Sequence, residues 1–121
     1  MGWLLIICSC VLLAACYRAP DKKFVGEWKS RCSIDVCTIT SLKADHTFSV
    51  KHDEKDSTVA YSGTWREEGD RLITHVTAAD KMLQDIIGKN FRITVSDFHR
   101  DSFRATLIDE HGRSDVWKRL H

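Results

Sequence analysis

Apolar and polar residues alternate with a period of two through most of this chain, which restricts it to antiparallel strands with one wet face. The clearest stretch is 59–67, where Val59, Tyr61, Gly63 and Trp65 share one side. Seven further segments obey the same rule: 26–30, 35–43, 47–52, 71–77, 91–97, 102–109 and 114–120. Val36, Thr38, Thr40 and Leu42 align in the second strand, and Phe48 and Val50 in the third. Phe91, Ile93 and Val95 align in the sixth, and Phe103, Ala105 and Leu107 in the seventh.

The connections predict a meander. Gly69-Asp70 and His111-Gly112 have the length and composition of tight hairpin turns. Asp45-His46 sits between strands two and three, and His is among the few non-glycine residues that tolerate positive φ. The charged stretch 53–57 reads as a solvated tip. One segment breaks the period. From 78 to 87 the apolar residues Met82, Leu83, Ile86 and Ile87 form a helical stripe. Thr77 is the expected N-cap, with Asp80 three residues on, and Gly88 the expected stop. A short helix of two to three turns is therefore predicted between strands five and six, its apolar face closing one end of the sheet. Eight sequential strands leave two exposed edges unless the sheet closes, so the predicted fold is all-β, an eight-stranded antiparallel up-and-down barrel.

Gly26, Glu27 and Trp28 form a Gly-X-Trp sequence on the first strand, and Arg119 lies near the end of the last. This combination resembles the lipocalins and related calycin barrels. The resemblance implies that Arg119 packs over Trp28 and that the interior holds a small apolar ligand. The segments 42–48 and 62–72 are also similar to small bacterial lipocalin-like proteins. Those proteins carry Asp-Gly-Thr-Phe ahead of a Gly-Thr-Trp strand; here the first phrase is Asp45-His46-Thr47-Phe48, with His46 where glycine is usual. Strands of about seven residues are only about 23 Å long. Trp28, Phe48, Tyr61, Trp65, Phe91 and Phe103 are enough to fill much of so short a barrel, so the periodicity leaves a packed interior and a cavity both open.

The N-terminus carries a different message. Residues 1–16 contain no charged side chain, and the apolar run from Trp3 to Ala15 is broken only by Ser9. As a helix it spans about 20 Å, short of a bilayer core of about 30 Å. It has the length of a secretory signal core, although no Lys or Arg precedes it. Its ending, Leu13-Ala14-Ala15-Cys16, resembles the bacterial lipobox, in which the cysteine is acylated and becomes the new N-terminus. The resemblance implies a lipoprotein signal at 1–15, a lipidated Cys16 with a polar tether at 16–23, and a barrel domain at 24–121. The partner would then be a membrane reached through N-terminal acyl chains. In a Gram-negative cell, Tyr17 in place of aspartate resembles an outer-membrane address facing the periplasm.

All 18 basic and 17 acidic residues come after Cys16, without a basic run, which argues against nucleic acid as a partner. Of the five cysteines, Cys8 and Cys10 leave with the signal and Cys16 takes the lipid. The remaining pair, Cys32 and Cys37, reads as a disulfide in an exported chain. A redox pair usually has two intervening residues where this one has four, and two cysteines alone do not make a structural zinc site. The six histidines are scattered, and none lies two or four residues from another, so no metal site is expected. Neither a nucleophile elbow nor a phosphate loop is present, and no catalytic residue or cofactor is assigned. The expectation is a cell-envelope lipoprotein that binds a small apolar ligand or serves another non-catalytic envelope role. The alternative is protein–protein recognition, such as a periplasmic inhibitor of a wall-degrading hydrolase, to which Tyr61-Ser62-Gly63 has a loose resemblance.

Overall fold

The computed structural model describes residues 22–33, 36–54, 57–108 and 112–120. The expected signal, its cleavage site and Cys16 lie outside the described residues, as do His111 and His121. Eight strands succeed one another: β1 (Gly26–Ser33), β2 (Val36–Leu42), β3 (Thr47–Glu54), β4 (Ser57–Glu68), β5 (Arg71–Ala79), β6 (Asn90–His99), β7 (Ser102–Leu107) and β8 (Arg113–Arg119). Each pairs antiparallel with its neighbour in sequence, and β8 returns to β1 to close the barrel. The predicted architecture is the observed one.

One end of the barrel is formed by the turns after β2, β4 and β6 and by the chain entering β1. It is closed by packing. Trp28, Phe103, Leu42 and Leu72 are fully buried there, and Phe24 and Trp65 are nearly so; Val76, equally buried, lies further along β5, beside the connection to β6. Phe24 precedes β1 and turns beneath the barrel, where its ring meets those of Phe98 and Phe103 edge-on at 5.6 and 5.9 Å.

The turn at 43–47 explains His46. Its φ is 68°, the left-handed region, so His46 takes the backbone conformation for which glycine is the usual choice. Its N–H donates to Lys43 O at 3.1 Å, and its carbonyl accepts from Trp65 N–H at 2.8 Å. Gly63 is set by proximity instead: a Cβ there would overlap the His75 carbonyl of β5.

The segment between β5 and β6 differs from expectation. β5 continues through Ala79, held by pairing of Ala78 with Ser62 and of Ala79 with Tyr61. Thr77 therefore lies inside a strand and caps nothing. Asp80 takes the N-cap position, and its fixings are to β4: its N–H donates to Ala60 O, and its Oδ2 accepts from Ala60 N–H, at 2.9 and 2.8 Å. After it comes a six-residue 3-10 helix, Lys81–Ile86, in place of two to three α-helical turns. Leu83, whose φ of −116° and ψ of 19° kink the helix, and Ile86 both look into the barrel. Met82 and Ile87 fall off that face and are 80% and 41% exposed. The expected four-residue stripe is thus a pair, because the segment is 3-10 in place of α and is kinked at Leu83.

Candidate functional site

The site is assembled from the inward rows of the strands. At the closed end, Gly26, Trp28 and Arg119 are brought together. The Arg119 guanidinium carbon lies 4.3 Å from the centroid of the Trp28 ring, which is wholly buried. Arg119 Nη1 and Nη2 donate to the carbonyls of Val25 and Lys23, each at 2.7 Å, and its Nε lies 3.6 Å from Asp101 Oδ1. Gly26 has φ 144°, and a Cβ there would come within 2.6 Å of Arg119 Nη1. The glycine of Gly-X-Trp is thus the space that admits the guanidinium. Trp28 Nε1 donates to Phe24 O at 2.9 Å, so the indole is satisfied without a ligand.

Above this plug the interior opens. A cavity of about 340 Å³ occupies the other half of the barrel. Phe48, Val50, Phe91, Ile93 and Trp117 supply its apolar walls, and Leu83 and Ile86 of the 3-10 helix cover part of the mouth. Ser30, Thr38, Thr40, Thr74 and Tyr61 place polar atoms among them. The aromatic residues that could have filled the barrel divide between the two halves. Trp28, Trp65 and Phe103 build the plug, whereas Phe48, Tyr61 and Phe91 line the cavity.

Cys32 and Cys37 form a disulfide that ties β1 to β2 at the open end. Neither cysteine lines the cavity, and Cys32 borders the groove on the outer wall beside it. Among the described histidines, three bond within the barrel wall. His52 Nδ1 shares a hydrogen bond with Thr38 Oγ1 at 2.7 Å, His75 Nδ1 one with Asn90 Oδ1 at 2.7 Å, and His46 Nδ1 one with Trp65 O at 3.3 Å. No three metal-binding side chains cluster among the described residues.

Among the contributors that sequence reasoning missed, three stand out. Phe98 lies beyond the predicted sixth strand, yet its ring stacks on Phe103 at 5.7 Å and meets Phe24. A bulge between Ser96 and His99, with Asp97 at φ 50°, shifts the alternation by one and turns Phe98 inward. Arg31 and Asp115 are the other two. Both line the cavity where β1 and β8 part. For Asp115 the signal was present: Arg113, Asp115, Trp117 and Arg119 share the period-two row that carries Arg119 inward.

No protein-family model matches the chain, and no curated protein matches it in sequence. The fold assignment therefore rests on the closed eight-stranded meander, which is compatible with a lipocalin-like barrel.

Proposed function

We propose that the chain is a non-catalytic, lipid-anchored protein of the cell envelope that carries a small apolar ligand in its barrel. The observation that carries this reading is the cavity of about 340 Å³, near the low end of the range typical of small-molecule sites, with apolar walls and a few placed polar groups. At roughly 30 Å³ per non-hydrogen atom, the volume that a water takes in the liquid, it holds a molecule of about eleven such atoms. The lipobox-like Leu13-Ala14-Ala15-Cys16 supports the anchor, and in a Gram-negative cell Tyr17 favours the outer membrane.

Native mass spectrometry of the protein extracted from its own membranes tests both halves. The expected result is a mass beginning at an acylated Cys16, with a further non-covalent component released on activation. An uncleaved, unacylated chain removes the anchor; a barrel that never carries a companion mass removes the carrier.

A protein-recognition role draws on a separate observation. Met82 is 80% exposed on the 3-10 helix at the mouth, with Ile87 half-exposed beside it. A hydrolase inhibitor would use such a rim, and Met82→Glu would then abolish complex formation while leaving ligand occupancy intact.

A further inference from the structure

Charge is unevenly placed around the cavity. Arg31, Arg113 and Asp115 are its ionised lining residues, and the other polar groups in its wall are hydroxyls, so two guanidinium groups face one carboxylate. All three lie on one side, where β1 and β8 part. The barrel is closed there by two residue pairs, Trp28 with Arg119 and Lys29 with Lys118. Above them β1 bulges between Ser30 and Ser33, with Arg31 at φ 49°. The inner row of β8 runs on through Trp117, Asp115 and Arg113, paired with β7. A groove of about 290 Å³ on the outer wall of the same seam meets the cavity at Ser30, Arg31 and Asp115. It adds Lys29 and Lys118 and no further acid.

The one carboxylate is already engaged. Asp115 Oδ1 accepts from the Val116 N–H at 2.8 Å, and Oδ2 is ion-paired with Arg31, whose Nε stands 3.7 Å away. Arg31 is held in place as well, since it makes a further contact besides this one. The pair cancels most of its own charge and leaves Arg113 in excess. Arg113 lies one inward step above Asp115, opposite Leu107 in the last hairpin, where the barrel opens. No ion pair joins it to another described residue.

From this arrangement we infer that the ligand carries a single negative charge: a medium-chain carboxylate whose head meets Arg113 at the mouth and whose chain fills the chamber. The inference rests on the carrier reading above and names its ligand class. The chain lies against Phe48, Phe91, Ile93 and Trp117, and the Arg31–Asp115 pair borders the head without being broken. A guanidinium offers a carboxylate two parallel N–H bonds. Because Arg113 is exposed, the head keeps part of its hydration, and the cost of burying a charge is avoided. An ammonium head would meet two guanidinium groups of its own sign and a carboxylate already paired. A head held at the mouth also limits the chain. The cavity takes about eleven non-hydrogen atoms, the size of octanoate, so a much longer chain pushes its head out of reach of Arg113. Arg113 is on this account a specificity-determining residue.

The test is isothermal titration of the purified, ligand-stripped protein at neutral pH with octanoate, octylammonium, 1-octanol and dodecanoate. Heads of opposite sign feel the same field oppositely, so octanoate should bind about tenfold more tightly than octylammonium, a difference of about 1.4 kcal/mol. Dodecanoate should bind no more tightly than octanoate. Arg113→Glu, an exposed change far from the plug, should erase or reverse the preference for octanoate while leaving the affinity for octanol unchanged. Equal affinity for the two charged heads, preference for octylammonium, tighter binding of dodecanoate, or an unchanged octanoate-to-octylammonium ratio in the variant would each overturn the inference and leave the carrier reading standing. Octanol bound and octanoate refused would do the same. Binding of none of the four overturns both. The wild-type series decides the matter even if the variant does not fold.

Discussion

The two halves of the barrel are built from the same strands and differ by one step along each of them. Toward the closed end the inward positions hold Trp28 on β1, Leu42 on β2, Leu72 on β5 and Phe103 on β7. The next inward position on each is Ser30, Thr40, Thr74 and Ala105. All four of these line the cavity. On these four strands the step from large to small side chains separates a packed plug from a chamber, and on β1 the chain also bulges just past Ser30. The plug holds its polar atoms satisfied: Trp28 Nε1 finds Phe24 O, Trp65 Nε1 finds Lys43 O at 2.9 Å, and Arg119 finds two carbonyls. At the chamber the buried Asp115 Oδ2 has no hydrogen bond among the described residues and faces Arg31 Nε at 3.7 Å. A small barrel can thus place stability at one end and leave the other end for binding.

Substitutions at the two ends should therefore behave oppositely. Trp28→Ala has the largest expected effect, a loss of about 3 to 5 kcal/mol, because it removes the transfer energy of the indole and leaves a hole under Arg119. Urea titration reads it as a large drop in midpoint. Arg119→Ala should cost about 2 kcal/mol: the stacked cation is lost, while the carbonyls of Lys23 and Val25 are left to accept from water. Ala105→Leu reverses the sign. It extends the bulky layer one step upward, and the added carbons should stabilise the fold by about 1 to 2 kcal/mol while abolishing binding of a small apolar probe such as 1-octanol. A rise in melting temperature with binding retained would break the division into plug and chamber.

The smallest effect belongs to the closed-end turn. Asp45 Oδ1 accepts from the Thr47 hydroxyl and from the Thr47 N–H. These bonds, the hydroxyl first, hold its carboxyl below the ordinary carboxylate value. A depressed folded-state value stabilises the fold above the unfolded value of about 4, and that contribution is lost as pH falls through the folded one. The stability difference between wild type and Asp45→Asn should accordingly shrink as urea titrations move from neutral pH to about pH 3. The effect stays small because the group is exposed. A difference independent of pH would assign the turn's stability to backbone geometry alone.

Much of this division was legible in residue order. Strict alternation yields the strand count and the inward rows, and Gly26, Trp28 and Arg119 mark where the sheet closes. The boundary between plug and chamber was also written, in the step from Trp28 to Ser30 and from Phe103 to Ala105. Alternation alone does not say how much space those smaller side chains leave, because that depends on barrel radius. Phe98 escaped because a bulge at Asp97 shifts the period by one, and nothing local announces it. The 3-10 helix escaped because Leu83 and Ile86 fit three residues per turn as well as 3.6. The deciding contact was the anchoring of Asp80 to Ala60 across the sheet, which is long-range. Asp115 was readable from the final strand's own rhythm, but its ion pair with Arg31 depends on the bulge of β1, which is not.

The narrow closure between β1 and β8 also orders events in time. Seven of the eight strand pairings join neighbours in sequence and can form hairpin by hairpin, with little loop entropy opposing each. The eighth brings together groups 94 residues apart, Arg119 and the Val25 carbonyl, so it carries the highest contact order in the molecule. A pairing that must wait for all the others is placed to form after the main folding barrier. Bonds made there slow unfolding more than they speed folding. The guanidinium over the indole then acts as a kinetic latch on the cylinder, setting how long the barrel keeps its shape between rare openings.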